Sequence, residues 1–317
     1  MPKITKSTLL LVAAFAAIYI IWGSTYLVTA FAMDELPPFI MIGSRYTTAG
    51  ILLGGGVLLF GQYQPISKKQ LLNALFSGLL MIGFGGGLIF YTVLYLDTGL
   101  IALITAGEPL LIVLMMWILY GKKPGSQAYL GILLGIIGMY LLVSQKVLIA
   151  NPDQWKGLLF VFGSMLSWGY GTILVSERDM PKPATSNSAI QMIFGGFCLV
   201  IFSFIVEDPL AVKLTELQLT TWLAMAYLIF LGSIITFSAF NFLLTKVSPE
   251  KVATSTYVNP IVAMFLGWWL RDELITGQSI FAACIMLLGV FFINMKRAYL
   301  QQILRRLGIK YKIKAKE

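Results

Sequence analysis

Long apolar runs separated by short polar connections dominate the sequence. Each run has about 18 to 25 residues, the length that a helix needs to cross a hydrocarbon core of about 30 Å. The first run is too long for a signal peptide and has no small-residue cleavage site behind it. The pattern predicts an all-α polytopic membrane protein with ten transmembrane helices. The ten runs are Ser7–Phe31, Phe39–Phe60, Gln70–Tyr95, Gly99–Leu119, Gln127–Ser144, Lys156–Val175, Asn187–Val206, Thr220–Leu243, Val252–Leu270 and Gln278–Met295.

Two of these runs contain a polar residue followed by proline near mid-span. Glu108 and Pro109 interrupt the fourth run, and Asn259 and Pro260 interrupt the ninth. Proline removes a backbone donor and kinks or opens a helix, and an ionised carboxylate inside a bilayer is costly. Broken helices at corresponding places in two halves predict a binding site near the membrane midplane of a transporter. The alternative is that both prolines are ordinary kinks, which neighbouring helices tolerate.

The order of residues repeats between the two halves of the chain. Trp22 recurs 146 residues later as Trp168, and at the same offset Arg45 corresponds to Gln191. The fourth run matches the ninth at an offset of 151, and a loop absorbs the difference. Five spans per half is an odd number, so the second half must enter the membrane from the opposite side. The predicted architecture is two inverted five-helix repeats, residues 7–144 and 156–295, followed by a basic tail, residues 296–317.

Composition and charge agree with this class and suggest an orientation. The chain is 58% hydrophobic and 12% charged, with a mean hydropathy of +0.84. Most of the 23 lysines and arginines lie on connections that are cytoplasmic if the N-terminus is inside. We therefore predict that both termini are cytoplasmic.

The basic tail alternates leucine and isoleucine with lysine and arginine. This pattern is typical of an amphipathic helix on the membrane surface, and anionic lipid is its expected partner. A solvated tail is the alternative. A nucleic-acid partner is not expected, because membrane orientation already explains the basic charge.

The residue types argue against enzyme chemistry. Histidine is absent, which removes the commonest general base and the usual zinc ligand. Cys198 and Cys284 lie inside apolar runs, and the acids at span ends, Asp97, Asp272 and Glu273, are scattered. The glycine-rich third run lacks the lysine of a phosphate-binding loop. No cofactor or metal is predicted.

Several short patterns occur in a fixed order along both halves. They are Ile21–Tyr26, Pro37–Pro38, Arg45–Tyr46, Ala49–Leu52, Val258–Val262, Asp272–Leu274 and Gly277–Gln278. In this order the chain resembles the ten-helix bacterial EamA-type members of the drug/metabolite transporter superfamily, from Leu9 to about Met295. The resemblance implies an inner-membrane carrier, usually an exporter of amino acids, other small metabolites or drugs, with a central cavity between the halves. Glu108 departs from the family pattern, in which a neutral residue more often precedes this proline.

The two intramembrane charges suggest what the cavity binds. Arg45 follows Pro38 by about seven residues, or roughly 10 Å, and Glu108 follows Gly99 by about nine, or roughly 14 Å. A pocket with a guanidinium and a carboxylate would suit an amino-acid-like zwitterion. Alternatively, Glu108 carries a proton and couples export to the proton gradient. A structural ion pair between the two charges, or Arg45 bonding carbonyls at a helix end, also stays open.

The predicted function is a secondary transporter that exports a small metabolite, such as an amino acid, by alternating access. The alternative is a proton-coupled multidrug exporter, in which an acidic aromatic pocket takes lipophilic cations. A channel or a structural membrane protein is also conceivable. The tryptophans could equally be packing residues, and Tyr91 and Asn241 could bond between helices. The predicted substrate-binding residues are Trp22, Arg45, Tyr91, Glu108, Trp168, Gln191, Asn241 and Asn259.

Overall fold

The computed structural model describes most of the chain, and its regular structure there is helical, without strands. Ten long helices in the described ranges follow the apolar runs in order. Three of them, α1, α3 and α8, contain a π-helical segment between two α-helical parts. The described ranges are 6–93, 95–96, 101, 104–123, 125–144, 154–271 and 275–295.

The helix bounds lie within a few residues of the predicted runs, except in the fourth. Short helices also occur at Pro209–Ala211, Leu214–Glu216 and Pro249–Val252. The long helices are α1 (Lys6–Ala16, Ala17–Ile21, Trp22–Met33), α2 (Pro38–Leu59), α3 (Lys68–Gly78, Leu79–Gly86, Gly87–Val93), α4 (Glu108–Tyr120), α5 (Ser126–Val143), α6 (Gln154–Glu177), α7 (Ala184–Val206), α8 (Leu219–Tyr227, Leu228–Ile235, Thr236–Leu244), α9 (Ser255–Arg271) and α10 (Gly277–Asn294).

Several helices are suited to a lipid environment. Within the described part, six helical stretches are long and apolar enough to cross a membrane, and α4 and α5 are shorter apolar helices. Large apolar side chains face outward, as with Leu159 at 64% exposure and Phe281 at 61%. Such surfaces are stable against lipid tails, and the helices satisfy their own backbone groups. The expectation of an all-α polytopic membrane protein is thereby confirmed. The six stretches are Ser7–Met33, Lys68–Ile89, Gln154–Glu177, Ala184–Val206, Leu219–Leu244 and Gly277–Asn294.

The helices contact one another in pairs. The most extensive contacts join α2 to α7 and α5 to α10, while α3 packs on α6 and α1 packs on α8 and α9. Glycines allow the closest approaches. A Cβ on Gly196 would lie 2.6 Å from the Thr47 nitrogen, and one on Gly131 would lie 2.5 Å from the Gly289 oxygen. Small residues at these crossings let the backbones come together, as is common in membranes.

The π-helical segments matter for the site, because a π-helical turn shifts backbone carbonyls out of the regular α-helical bonding pattern. The segments of α3 and α8 begin at Leu79 and Leu228 and each span eight residues. The separation between Leu79 and Leu228 lies between 146 and 151 residues, the two offsets at which the sequence repeats. The third π-helical segment, Ala17–Ile21, lies in α1.

The two proline positions differ in backbone structure. Helix α4 begins at Glu108, with Pro109 in its first turn, where proline fits without loss of a helical bond. The turn before it includes Gly107, whose nitrogen donates to the Ile104 oxygen at 2.9 Å. In contrast, α9 continues through Pro260. The expected opening of the helix therefore occurs at Pro109 and not at Pro260.

Candidate substrate site

Arg45 is buried between α2 and α8. Its Nε donates a hydrogen bond to Ser233 Oγ at 2.8 Å, and Cζ lies 4.9 Å from the centre of the Tyr46 ring. A Cβ on Gly232 would lie 2.8 Å from Nη2, so the missing side chain leaves room for the guanidinium. Arg45 is only 7% exposed. Within the described ranges no carboxylate forms an ion pair with it, so its charge has no anionic partner there.

An aromatic cluster lies beside this guanidinium. The ring centroids of Trp22 and Trp168 are 6.1 Å apart, and Phe240 lies 5.2 Å from the first ring and 5.9 Å from the second. Trp22 Nε1 donates to the Gly232 oxygen at 3.1 Å, a carbonyl of the π-helical segment of α8. Both tryptophans are half-buried. The two tryptophans predicted from the repeat thus lie in contact, and one of them bonds the residue that makes room for Arg45.

Gln191 and Asn241 belong to a buried polar network between three helices. Asn241 Nδ2 donates to Gln191 Oε1 at 2.9 Å, and Gln191 Nε2 donates to Ser77 Oγ at 2.7 Å. Asn187 Nδ2 donates to Asn241 Oδ1 at 3.0 Å, which extends the network along α7. The amides of Gln191 and Asn241 are therefore occupied by interhelical bonds. This geometry agrees with the helix-bonding interpretation of Asn241.

Glu108 is buried at the first turn of α4, with 9% exposure. Among the residues that the structure describes, its carboxyl forms no hydrogen bond or ion pair. The salt bridges of the described chain join Lys122 to Glu177 and Lys213 to Glu216. Arg45 and Glu108 therefore do not form the direct pair that the sequence left open.

Asn259 on α9 is fully engaged. In the amide orientation that satisfies its surroundings, Nδ2 lies 3.0 Å from the Ile18 oxygen, 3.1 Å from the Tyr19 oxygen and 3.1 Å from the Ser255 oxygen. The first two carbonyls belong to the π-helical segment of α1. Asn259 therefore links α9 to the irregular part of α1.

Some predicted features lie outside the described residues. Tyr91 lies on the last part of α3, but its side chain is not among the described ones. The same holds for Asp97, Asp272 and Glu273, and for the basic tail, residues 296–317. Their roles stay predictions.

Two clefts open on the described surface. The larger, about 590 Å³, lies between the α1–α2 and α7–α8 connections. The smaller, about 420 Å³, lies beside Gly107 between the chain before α4 and helix α5. Neither is lined by any of the eight predicted substrate-binding residues. The larger cleft is lined by Glu35, Pro37, Asp208, Ala211, Val212, Lys213, Glu216 and Leu217, and the smaller by Ile104, Gly107, Ile136, Ile137 and Tyr140.

Sequence reasoning missed two buried polar residues, one of which bonds a predicted residue. Ser233 accepts a hydrogen bond from Arg45. The Gly232-Ser233 pair could have indicated this position in the sequence, because small residues in an apolar span often mark close helix contact. Tyr257 is 0% exposed and its hydroxyl has no hydrogen-bond partner in the described chain. Its position two residues before Asn259 was the available signal.

Comparisons with known proteins give the family. The EamA-like transporter family matches residues 8–144 and 155–295. The chain is 35% identical over 302 residues to the "Uncharacterized inner membrane transporter YedA" of Escherichia coli K12, covering 92% of this chain and 95% of that one. It is 21% identical over 283 residues to a "Probable amino-acid metabolite efflux pump" of the same organism, covering 86% and 91%.

A solved structure supports the fold. A crystal structure with 18% sequence identity superposes with a TM-score of 0.77 and covers 96% of this chain and 99% of its own. The resemblance inferred from the short sequence patterns is confirmed, and the protein is a multi-pass membrane transporter, not an enzyme. The chain belongs to the EamA-like transporter family.

Proposed function

We propose that this transporter is a secondary carrier that exports a small metabolite, such as an amino acid, across the bacterial inner membrane. The observation that carries the proposal is Arg45, a buried guanidinium that bonds the Ser233 hydroxyl, lies beside the Tyr46 ring and has no carboxylate partner in the described chain. Burying a charge without a counter-ion is costly, and charged groups inside membrane spans mark substrate or ion pathways. A guanidinium binds a carboxylate with two parallel hydrogen bonds. A cargo with a carboxylate fits this site.

Glu108 and the two tryptophans fit a zwitterionic cargo. Glu108, buried and without a described partner, supplies an acceptor for an ammonium group or a proton. The half-buried tryptophans beside Arg45 supply an aromatic wall. One relative, at 21% identity, is named a probable amino-acid metabolite efflux pump, which supports the same cargo class. The proposed substrate-binding residues are Trp22, Arg45, Tyr91, Glu108 and Trp168. Gln191, Asn241 and Asn259, whose amides bond between helices, are proposed to border the site.

Alternating access between two inverted five-helix repeats is the proposed mechanism. Three observations support it. The family matches the chain in two successive stretches. The helix contacts also repeat between the halves. Helix α3 packs on α6, and the helices five places away from them in the chain, α8 and α1, pack on each other in the same way. Helices α3 and α8, which are mates in this scheme, both carry eight-residue π-helical segments. In such architectures the two repeats rock against each other around a central site.

The proposed orientation places both termini in the cytoplasm, because the basic connections then lie inside. The basic tail, residues 296–317, is proposed to bind anionic lipid on that side.

A second candidate function is export of lipophilic cations. The cluster of Trp22, Trp168 and Phe240 favours it, since aromatic faces attract cations. In this case Glu108 would provide the negative charge and the coupling proton.

Counterflow in proteoliposomes tests both candidates. Vesicles are loaded in turn with each common amino acid and with two lipophilic cations, and exchange is compared between wild type and Arg45→Gln. We expect saturable exchange of amino acids in the wild type and a loss of about tenfold or more in the variant, since a charged hydrogen-bond pair is removed. Equal amino-acid exchange by both proteins would contradict the proposal. Exchange of the cations alone would favour the second candidate.

A further inference from the structure

One nitrogen of the Arg45 guanidinium is held by a neighbouring helix, and the other two are not. Nε donates to Ser233 Oγ at 2.8 Å, whereas neither Nη nitrogen forms a hydrogen bond among the described residues. A guanidinium has five N–H donors, so four of them lack an acceptor there. Buried donors without partners are costly, and Arg45 is only 7% exposed. The two Nη nitrogens are therefore the part of the side chain that a ligand can satisfy.

The π-helical segment of α8, Leu228–Ile235, both holds the guanidinium and leaves room for it. Gly232 and Ser233 are adjacent and buried in this segment. A Cβ on Gly232 would lie 2.8 Å from Arg45 Nη2. The Gly232 oxygen accepts a hydrogen bond from Trp22 Nε1 at 3.1 Å. Two neighbouring residues thus set the position of the guanidinium relative to the aromatic cluster.

We propose that Ser233 is the positioning residue of a carboxylate site at Arg45. This inference rests on the proposed function, and it names the side of the guanidinium that the cargo meets. A guanidinium can bind a carboxylate with two parallel hydrogen bonds, either from its two Nη nitrogens or from Nε and one Nη. Ser233 occupies Nε, which excludes the second arrangement. The cargo carboxylate therefore binds end-on, to the two Nη nitrogens.

This geometry has two chemical consequences. A carboxylate accepts both Nη bonds, whereas a carboxamide has one oxygen acceptor and turns N–H donors toward the guanidinium, so the site prefers the carboxylate. Without the Ser233 hydroxyl, Arg45 loses its hydrogen bond to α8 and must be ordered when the cargo binds. Ordering a long side chain on binding weakens the affinity.

Nitrogen NMR of the purified protein tests the site without any transport. The protein carries isotope-labelled arginine, and Arg45→Gln identifies the Arg45 resonances. Acetate is the probe, and acetamide is the neutral control. We expect acetate to shift the Nη resonances of Arg45 much more than its Nε resonance, and acetamide to shift neither. In Ser233→Ala, where Nε is free, we expect acetate to shift Nε as well.

Two results of this experiment would overturn the inference. One is the absence of any shift of the Arg45 resonances by acetate. The other is a shift of Nε as large as that of Nη in the wild type, because the carboxylate would then approach the side of the guanidinium that Ser233 occupies.

Counterflow separates a positioning role from a structural one. Each common amino acid that the wild type exchanges is titrated. Ser233→Ala should raise the half-saturating concentration about three- to tenfold and leave the maximal rate unchanged. In an Arg45→Gln background the same substitution should have no further effect, because Ser233 acts through Arg45. The matched control is Ser164→Ala, which removes another buried interhelical hydroxyl, bonded to the Gly85 oxygen at 2.7 Å, and should leave the half-saturating concentration unchanged.

An equal rise in both backgrounds, or the same rise in Ser164→Ala, would overturn the inference, because Ser233 would then have a structural role only. Should Ser233→Ala fail to fold, Gly232→Ala replaces it. Its Cβ would displace Nη2, so the half-saturating concentration should rise about tenfold or more. An unchanged value would overturn the inference.

The NMR result is separate from the transport result. A shift of the Arg45 Nη resonances by acetate in a protein that exchanges no amino acid would contradict the proposed function and leave the carboxylate site standing. Amino-acid exchange without an effect of acetate on Arg45 would contradict the carboxylate site alone.

Discussion

Glu108 and Asn259, which correspond in the predicted repeat, have different surroundings in the structure. Asn259 precedes Pro260 in a continuous helix, and its amide is satisfied by carbonyls of α1 and of its own helix. Glu108 precedes Pro109 where α4 begins, and its carboxyl is buried without a partner in the described chain. An amide nitrogen can donate to carbonyls, whereas an ionised carboxylate only accepts hydrogen bonds. The amide thus joins two helices, whereas the carboxyl has no bond to another residue of the described chain.

The largest effect is expected when the amide becomes an acid. Asn259→Asp removes the donor and turns carboxylate oxygens toward the carbonyls of Ile18 and Tyr19. We expect a loss of about 3–5 kcal/mol in the free energy of unfolding, as for an uncompensated buried charge. Chemical denaturation of the purified protein measures it. A variant as stable as the wild type would show that Asn259 does not hold α9 to α1.

The reverse exchange should affect transport and leave stability intact. Glu108→Gln removes a charge that has no described partner, so the free energy of unfolding should not fall. The half-saturating concentration for amino-acid counterflow should rise about 10- to 100-fold, because one charged interaction is lost. Counterflow of wild type and variant at several concentrations measures this. Unchanged counterflow would show that Glu108 does not bind the substrate. The difference between Glu108 and Asn259 would then be structural only.

A smaller effect is expected where a single carbonyl of a π-helical segment is involved. Trp22→Phe removes one hydrogen bond to the Gly232 oxygen and keeps an aromatic ring in the cluster. We expect a loss of about 1 kcal/mol in the free energy of unfolding, measured in the same denaturation series. A loss as large as that of Asn259→Asp would contradict this expectation, because one lost hydrogen bond would then cost as much as an uncompensated buried charge.

The smallest effects belong to the two prolines themselves. Pro109→Ala changes a residue in the first turn of α4, where proline is tolerated, so its effect on unfolding should be a few tenths of a kcal/mol. Pro260→Ala restores a helical donor inside α9 and should be neutral or stabilising by up to about 1 kcal/mol. Parallel melting curves compare them. Strong destabilisation by Pro260→Ala would show that the native structure of α9 requires the proline, and with it the absence of that helical hydrogen bond.

Local sequence properties were enough to predict some local features around the proposed site. The correspondence of Trp22 with Trp168 followed from the repeat, and the structure brings their rings into contact. The break beside Pro109 followed from the chemistry of proline, which equally predicted a break at Pro260, where α9 is continuous. The partner of Arg45 did not follow, because Ser233 occupies a position whose neighbours depend on which helices touch.

The sequence by itself determined the class of the protein, the course of its helices and its family. These depend on the length, apolar character and order of segments, which are local properties of the chain. The tertiary structure decided which polar groups are satisfied and which are not. Asn259 bonds a π-helical segment, while Glu108 and Arg45 do not pair with each other. Both results depend on the packing of helices that are far apart in sequence. No local pattern encodes those contacts, since hydrogen-bond partners across a membrane bundle are set by helix register and rotation.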